Sequence, residues 1–280
     1  MNISIIGLGL IGGSIARDLK SQIYVQVSGV DSNDNHCQMA LDLGVVDQII
    51  SLEEAMDSSD VIIIAVPVDA LQQLLPTILN QINDHQVLID VGSTKKLICD
   101  AVRGHDKRGR FIAAHPLAGT EFSGPGAALK GLFVDKKNIV CESDLVQSDA
   151  MEIAMKIFDS LGMQTIFMDP SEHDKHLAYV SHLSHVSSFM LGMTVLDIER
   201  DEKQIFNLAG TGFASTVRLA KSNPKTWSAI FEKNNVHLSA ALDQYILWLQ
   251  KFKKAMDEGD RTAMESYMTS ANDIKRVLNK

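Results

Sequence analysis

The sequence has little that would suit a disulfide-bonded or membrane-spanning protein. Its three cysteines, Cys37, Cys99 and Cys141, are scattered and form no C-x-x-C pair. We therefore expect them to be reduced thiols of a cytoplasmic protein. The longest apolar run, Val61–Val68, is far too short to span a bilayer. The chain enters its first strand without a basic and apolar leader, so we also expect no export signal.

Basic residues are too few to favour a nucleic-acid partner. The chain has 26 Lys and Arg against 35 Asp and Glu, a formal net charge of −9. A surface that binds phosphate backbones needs clustered Lys and Arg, so we expect no nucleic acid as a main partner. One or two well-placed arginines can still bind a small anionic substrate. The length of 280 residues suits one large or two ordinary domains.

What the sequence does contain is a glycine-rich turn directly after its first predicted strand. Residues Ile3–Ile6 are followed by the pattern G-x-G-x-x-G at Gly7–Gly12. In a dinucleotide-binding turn, Gly7 would allow the tight bend, Gly9 the approach of the pyrophosphate, and Gly12 close packing of the helix on the sheet. The free N–H groups at the start of that helix would bind the phosphates.

An acidic residue stands where such a site needs one. The second predicted strand, Val25–Val30, ends in Asp31, about 20 residues past the turn, where a carboxylate binds the adenosine ribose. Because a carboxylate repels a 2′-phosphate, we expect NAD rather than NADP; the alternative is an ordinary turn with a surface aspartate. The predicted cofactor-binding residues are Gly7, Gly9, Leu10, Ile11, Gly12, Asp31, Val66 and Pro67.

The two halves of the chain have different patterns. Short β-branched runs alternate with helical patterns up to about residue 168, which predicts a doubly wound parallel sheet. Beyond Pro170 the patterns are helical, at about 171–199, 204–222, 225–258 and 261–278. We therefore predict an α/β fold, with a Rossmann-type NAD-binding domain at 1–169 and an all-helical domain at 170–280. Ser171, with Asp174 three residues on, is predicted to cap the first of these helices.

The clearest candidate for catalysis is a histidine at the edge of the predicted sheet. His115 follows the strand Phe111–Ala114 and precedes Pro116. Ligands of such sheets bind outside the carboxyl ends of the strands, where Gly92–Lys95 also emerges. We favour a functional His115 over a loop histidine that only caps backbone groups.

The helical half contributes two further candidate groups. His182 and His185 lie on one helix face, and with His173 and His176 they raise the question of a zinc site. No H-E-x-x-H pattern or cysteine pair supports a metal, so we predict none; the plainer alternative is buried, hydrogen-bonded helix histidines. Arg218 follows a glycine-containing helix start and could bind a carboxylate through two parallel hydrogen bonds, or be a surface arginine.

Taken together, these segments resemble the prephenate/arogenate (cyclohexadienyl) dehydrogenase family over nearly the whole chain. The most specific matches are His115–Glu121 and Ser181–His185, followed by Phe213–Pro224 with Trp227 and Phe231. The resemblance implies NAD-dependent oxidative decarboxylation of prephenate to 4-hydroxyphenylpyruvate, a step of tyrosine biosynthesis. It also implies arogenate as the alternative substrate, a helical domain that binds substrate and forms a homodimer, and tyrosine as a candidate feedback ligand.

The resemblance also assigns roles to individual residues. His115 would be the catalytic histidine at the substrate hydroxyl, with Ser93 holding its imidazole. The substrate-binding residues would be His185, Arg218, Thr120 and His182. Ala214 stands where some members carry a basic residue, so a second cationic contact is in doubt. The rival interpretations are a Rossmann-plus-helical dehydrogenase of the β-hydroxyacid type and a non-catalytic NAD-binding sensor.

Overall fold

The computed structural model describes residues 1–21, 25–199 and 208–278, and it divides into two compact units, Met1–Asn234 and Asn235–Lys280. The first unit is built on a sheet for which the described residues provide eight strands, in the order β3-β2-β1-β4-β5-β6-β7-β8. Their bounds are β1 Asn2–Ile6, β2 Gln26–Val30, β3 Gln48–Ile49, β4 Val61–Ile64, β5 Val87–Asp90, β6 Phe111–Pro116, β7 Lys137–Cys141 and β8 Gln164–Met168.

Helices connect most of these strands and form most of the described chain after residue 170. In the first unit they are α1 Leu10–Lys20, α2 Asp34–Asp42, α3 Leu52–Ser58, α4 Val68–Gln81, α5 Lys96–Val102, α6 Ser148–Ser160, α7 Pro170–Leu177, α8 Leu183–Glu199, α9 Thr211–Thr216 and α10 Pro224–Lys233. The second unit contains α11 Asn235–Asp257, α12 Arg261–Ala271 and α13 Lys275–Leu278. None of the described helices combines the length and apolarity that crossing a membrane requires.

The predicted doubly wound sheet is confirmed, because helices cover both of its faces. One apolar core includes Ile15 and Leu19 of α1, and the other includes Leu71, Leu75 and Ile78 of α4. These spacings of three and four residues place the side chains on one helix face. All four residues of β4 are buried, as a central strand between two helical layers requires.

The prediction of a parallel sheet is wrong for its last two strands. Strand β7 runs antiparallel to β6, and β8 runs parallel to β7. A parallel neighbour needs a crossover through a helix or similar connection. The chain between β6 and β7 contains only a 3₁₀ turn, Pro125–Ala127, so β7 starts at the end where β6 finishes and runs back beside it.

The helical half differs from its predicted pieces in several places. The stretch 171–199 contains a π-helical turn, Ala178–His182, between α7 and α8. The stretch 204–222 begins outside the described residues, and its described part is α9 followed by a 3₁₀ turn, Arg218–Lys221. The stretch 225–258 divides at Asn234 into α10 and α11. From residue 170 onward the described residues form no strand, whereas the domain boundary at 169/170 stays a prediction.

The predicted cap of the first of these helices is wrong. Asp169, not Ser171, is the N-cap of α7, and its Oδ1 accepts hydrogen bonds from the N–H groups of Ser171 and Glu172 at 2.7 and 3.1 Å. Pro170 then occupies the first helical position, which its fixed φ favours. Asp174, the acid expected to complete a capping box, is therefore available for other partners.

The glycines of the first turn provide a test of how closely α1 packs on the sheet. A Cβ built on Gly12 would lie 2.0 Å from the backbone oxygen of Gly7, whereas one built on Gly9 would meet nothing within 4 Å. We expect Gly12→Ala to lower the free energy of unfolding by about 1–3 kcal/mol through overpacking. Gly9→Ala is the matched control and should change it by less than about 1 kcal/mol. Equal midpoints of thermal denaturation for the two variants would contradict this.

Candidate active site

The glycine turn has the shape that a bound phosphate needs. Gly7 has a φ of +95° and donates its N–H to the Val30 carbonyl at 2.8 Å, a conformation that favours glycine. Gly9 is the N-cap of α1, and no side chain caps this helix and no acid stands in its first turn. No acid of α1 itself therefore competes for the N–H groups at this helix start, where the helix dipole favours an anion.

Asp31 is attached directly to this turn. Its Oδ2 accepts a hydrogen bond from the Leu8 N–H at 2.8 Å, and its Oδ1 accepts one from the Asn33 N–H at 2.9 Å. The imidazole of His36 lies 3.4 Å from Oδ2. These contacts fix the carboxylate at the end of β2 next to the glycine turn.

The other two predicted cofactor residues follow β4. Val66 is half-buried, and its Cγ1 lies 3.0 Å from a Cβ built on Gly7, while Pro67 is exposed as the N-cap of α4. Strand β4 pairs with β1, so these residues emerge beside the glycine turn. Whether they contact a cofactor stays a prediction.

His115 lies at the end of β6, and a second histidine holds its ring. The Nδ1 of His115 is 2.8 Å from Nε2 of His173 on α7, and Nδ1 of His173 is 2.7 Å from Oδ1 of Asp174. The His173 ring is fully buried, and His115 is 9% exposed. An acid and two imidazoles therefore form one hydrogen-bonded row that ends at the sheet edge.

Asp174 is also fixed from the side of the sheet. Its Oδ1 accepts the Lys95 N–H at 2.8 Å, and its Oδ2 accepts the Lys96 N–H at 2.9 Å, at the start of α5. Burial raises the pKa of Asp174, but the bonds from His173 and the two backbone N–H groups outweigh it, and the net pKa is below its usual value. The carboxylate is therefore ionised.

The surroundings of His115 keep it neutral. Burial, the adjacent His173 and the ammonium of Lys95 hold the pKa of His115 well below its ordinary value. Lys95 is itself fully buried in an ion pair with Asp90 and donates to the Ala114 carbonyl at 2.7 Å. A neutral imidazole can accept a proton, which is what a general base requires.

The predicted partnership of Ser93 with His115 is not formed as a hydrogen bond. Ser93 is half-buried in the loop after β5, and within the described chain its hydroxyl has no hydrogen-bond partner. The Nδ1 of His115 is held by His173 instead. A contact between Ser93 and a substrate hydroxyl stays a prediction.

The two histidines of the helical segment have different environments. His182 is buried, and its Nδ1 accepts a hydrogen bond from Nδ2 of Asn234 at 3.1 Å; burial lowers the pKa of His182 to about 4. The burial and this hydrogen bond of His182 fit the plainer alternative of a buried, hydrogen-bonded helix histidine. His185 donates from Nδ1 to the Ser181 carbonyl at 3.0 Å and stacks on Trp227 with the ring centroids 3.3 Å apart. Burial lowers the pKa of His185.

The histidines do not assemble a metal site in the described chain. No group of three or more His, Cys, Asp or Glu side chains there could hold a metal ion. His176 lies on the surface of α7, 3.5 Å from Glu172, and is separate from His173. A role for His182 or His185 in substrate binding stays a prediction.

Arg218 is not inside a helix, as the sequence suggested, but begins the 3₁₀ turn after α9. Ser188 of α8 fixes this turn, because its hydroxyl donates to the Thr216 carbonyl at 3.0 Å and accepts the Ala220 N–H at 3.1 Å. The guanidinium lies 3.2 Å from Oε2 of Glu121 and is 52% exposed. An ion pair this exposed contributes about 0–1 kcal/mol, so the guanidinium is available to a ligand carboxylate.

The contacts of Arg218 bring the predicted segments together. Glu121 belongs to the loop that follows His115, and the charge of Arg218 contributes to lowering the pKa of His185. Thr120, beside Glu121, is exposed and accepts the Phe122 N–H at 3.2 Å. The loop after β6, the segment around His185 and the turn of Arg218 therefore lie around one region.

Sequence reasoning missed several residues of this region. His173 was considered only as a metal ligand and Asp174 only as a cap, and Asn234 and Ser188 were not considered. The adjacent pair His173-Asp174 was the available signal, since an imidazole next to a buried carboxylate is a common support for a catalytic histidine. Nothing in the local pattern points to Asn234 or Ser188.

Comparisons with known proteins agree on one family. The family model of the prephenate dehydrogenase nucleotide-binding domain matches residues 15–167, and that of the prephenate dehydrogenase dimerization domain matches residues 169–270. The chain is 29% identical over 276 residues to a prephenate dehydrogenase of Bacillus subtilis, covering 97% of this chain and 74% of that protein.

Two further similar proteins each align over most of this chain and over most of their own length. A cyclohexadienyl dehydrogenase of Zymomonas mobilis is 29% identical over 262 residues, covering 92% of this chain and 89% of that protein. The solved structure of a prephenate dehydrogenase from Aquifex aeolicus, in complex with hydroxyphenyl propionate and NAD⁺, matches with a TM-score of 0.89 at 28% identity. This match covers 100% of this chain and 98% of the other.

Proposed function

The chain belongs to the prephenate dehydrogenase family, and we propose that it catalyses the NAD-dependent oxidative decarboxylation of prephenate to 4-hydroxyphenylpyruvate in tyrosine biosynthesis. The observation that carries this proposal is a neutral imidazole, His115, held at the carboxyl end of β6 by His173. A guanidinium, Arg218, is joined through Glu121 to the loop that follows this imidazole. A proton acceptor and a carboxylate-binding group are what this reaction needs from the protein.

The residues of the glycine turn fit NAD. The open space at Gly9 and the uncapped start of α1 suit a pyrophosphate, and the fixed carboxylate of Asp31 suits the two hydroxyls of a ribose. A 2′-phosphate would face this carboxylate at short range, which favours NAD over NADP. When bound, NAD⁺ supplies the acceptor for the hydride that leaves C4 of the substrate ring.

His115 removes the proton of the substrate hydroxyl as the hydride departs. The C4–H bond breaks with its electron pair, the O–H bond gives its proton to the imidazole, and the C–O bond becomes a carbonyl. General base catalysis of this kind contributes roughly 10²–10⁴-fold. Because His115 is neutral, it is ready to accept this proton without a prior deprotonation.

Loss of carbon dioxide then completes the reaction. The dienone carries the ring carboxylate in a position vinylogous to that of a β-keto acid, so the electrons of the breaking C–C bond flow to the carbonyl oxygen and the ring becomes aromatic. The resulting phenolate takes back the proton held by His115, which leaves the enzyme unchanged. The protein therefore has only to orient the ring and hold one proton.

The other end of the substrate is assigned to the helical segments. Arg218 is proposed to bind a substrate carboxylate, with charged hydrogen bonds that contribute about 1.5–3 kcal/mol each. His185, stacked on Trp227, is proposed to contact the substrate side chain, with Thr120 and His182 near it. Ser93 is proposed to contact the substrate hydroxyl beside His115.

We propose prephenate rather than arogenate as the substrate because of the names of the similar proteins. The similar proteins of Bacillus subtilis and Aquifex aeolicus are prephenate dehydrogenases, and the Zymomonas mobilis relative bears the broader name cyclohexadienyl dehydrogenase. The match to the dimerization domain supports a homodimer. A cytoplasmic location and binding of tyrosine as a feedback ligand are parts of the same proposal.

The proposal is tested by offering the purified protein prephenate and arogenate, each with NAD and with NADP, with and without tyrosine. Formation of reduced nicotinamide is followed by absorbance, and 4-hydroxyphenylpyruvate is identified as the product. We expect the highest kcat/KM with prephenate and NAD. Higher kcat/KM with arogenate would identify the alternative substrate, and cofactor binding without turnover of either substrate would support the sensor interpretation.

Removing the imidazole should abolish most of the turnover. We expect His115→Ala to lower kcat by roughly 10²–10⁴-fold with little change in NAD affinity. In the wild type, kcat/KM should stay constant through neutral pH and fall only on the acid side, since the pKa of His115 is well below its ordinary value. His85→Ala is the control, because the exposed His85 precedes the amino end of β5, whereas His115 lies at the carboxyl end of the parallel strand β6. An unchanged kcat in His115→Ala would remove His115 from the mechanism.

Removing the guanidinium should weaken substrate binding. We expect Arg218→Ala to raise the KM for prephenate about 10- to 100-fold, from the loss of charged hydrogen bonds. The KM of Arg218→Lys should lie between those of the wild type and Arg218→Ala, because lysine keeps the charge without the bidentate geometry. Lys221→Ala removes a positive charge from the same 3₁₀ turn and should leave the KM nearly unchanged. If both alanine variants behave alike, the effect is one of net charge only.

Removing the Asp31 carboxylate should relax the choice of cofactor. We expect Asp31→Ser to lower the ratio of kcat/KM for NAD to that for NADP by at least tenfold, because the repulsion of a 2′-phosphate is lost. Asp34→Ser, on the exposed first turn of α2, removes an equal charge and should keep the wild-type ratio. A wild-type enzyme that uses both cofactors equally would show that Asp31 does not select between them.

A further inference from the structure

We propose that His173 and Asp174 are positioning residues, which fix the tautomer of His115 so that its Nε2 is the atom that accepts the substrate proton. This inference rests on the proposed function and adds two residues to it. The three side chains form one hydrogen-bonded row, with distances of 2.8 Å between the imidazoles and 2.7 Å from His173 to Asp174. Among the described residues no hydrogen bond engages Nε2 of His115.

The direction in which hydrogen bonds are donated along the row is fixed by Asp174. The backbone N–H groups of Lys95 and Lys96 can only donate, and both point at this carboxylate. A carboxylate that receives two fixed donors is held in its ionised form, so it also accepts from His173. Nδ1 of His173 therefore carries a hydrogen.

The position of the hydrogen on each imidazole follows from this. Burial lowers the pKa of His173, so the ring is neutral and carries one hydrogen only, which leaves a lone pair on Nε2. This lone pair accepts from His115, whose hydrogen is then on Nδ1. The lone pair of His115 is left on Nε2, which faces away from the row.

The charge of Asp174 matters once His115 has gained a proton. The imidazolium donates through His173 toward the carboxylate, which favours the charged form. Lys95, His173 and His182 act in the opposite sense on His115, and Lys95 is itself paired with the carboxylate of Asp90. Asp174 is thus the acidic group in this set that reaches His115 through hydrogen bonds.

Two substitutions at His173 separate hydrogen bonding from packing. In His173→Phe the ring volume is nearly kept but the acceptor is lost, so a hydrogen on Nδ1 of His115 would be buried without a partner and the tautomer would reverse. We expect kcat to fall about 10- to 100-fold, with the KM values for prephenate and NAD changed by less than about threefold. In His173→Gln the amide oxygen can accept the same hydrogen, and most of the kcat should return.

A substitution at Asp174 separates charge from tautomer. In Asp174→Asn, the amide oxygen can replace Oδ1 and keep the bonds from His173 and Lys95, while the amide NH₂ faces the Lys96 N–H. The tautomer is then kept, but the negative charge that favours a protonated His115 is lost. We expect the acid limb of the kcat/KM profile to move to lower pH, a shift that a purely structural role of Asp174 would not cause.

Two residues of the same helix provide matched controls. Leu177→Ala removes buried packing from α7 and should lower the midpoint of thermal denaturation without moving the pH profile. His176→Gln changes an exposed histidine of α7 and should move neither. A readout that does not use turnover is the ¹⁵N spectrum of the imidazoles, in which the His115 signals, assigned by their absence in His115→Ala, report which nitrogen carries the hydrogen.

The proposal is overturned if His173→Phe retains the wild-type kcat, or if it loses no more than Leu177→Ala. It is also overturned if ¹⁵N shifts place the hydrogen of His115 on Nε2. If His173→Phe does not fold, the pH profile of Asp174→Asn and the ¹⁵N spectrum of the wild type decide the question. Failure of the proposed function is recognised separately, because the wild type would then turn over neither cyclohexadienyl substrate and His115→Ala would change nothing.

Discussion

The carboxylate of Asp174 is the contact on which the geometry of the candidate active site depends. It receives the N–H groups of Lys95 and Lys96 at the start of α5 and the N–H of His173 from its own helix. Through these three bonds it ties α7 to the loop after β5, and through His173 it orients His115. A charged hydrogen bond to a buried group is expensive to lose, so this arrangement is held firmly.

The charges around His115 act against one another, and their balance suits a base. Burial, the adjacent His173 and the ammonium of Lys95 disfavour a charged imidazole, while the proposed hydrogen-bonded row to Asp174 would favour it. The buried pair of Lys95 with Asp90 is costly in desolvation, yet it places a fixed positive charge beside the histidines. His115 is therefore neutral, and in the proposed reaction it would hold a proton only until the substrate oxygen takes it back.

Prediction from the sequence succeeded where the signal lies in a few adjacent residues. It failed for a strand direction, which depends on the chain connecting two strands, and for a helix N-cap, for which two nearby residues compete. The turn at Gly7–Gly12 and the apolar run of β4 follow from short patterns, because glycine conformation and strand burial are properties of a few adjacent residues. The direction of β7 was wrong because it depends on the chain between two strands. The cap of α7 was wrong because Asp169, before Pro170, competes with Ser171 for the same position.

The sequence by itself determined the α/β architecture, the glycine turn at Gly7–Gly12 and a histidine at the end of a strand, since each is encoded by residues close together in the chain. Only the tertiary structure decided that His115 pairs with a residue 58 positions away, and that Asp174 accepts from Lys95 across 79 positions. Side-chain periodicity describes which face of an element is buried, but it does not describe which polar groups meet inside. That is decided by how α7 packs against α5 and β7.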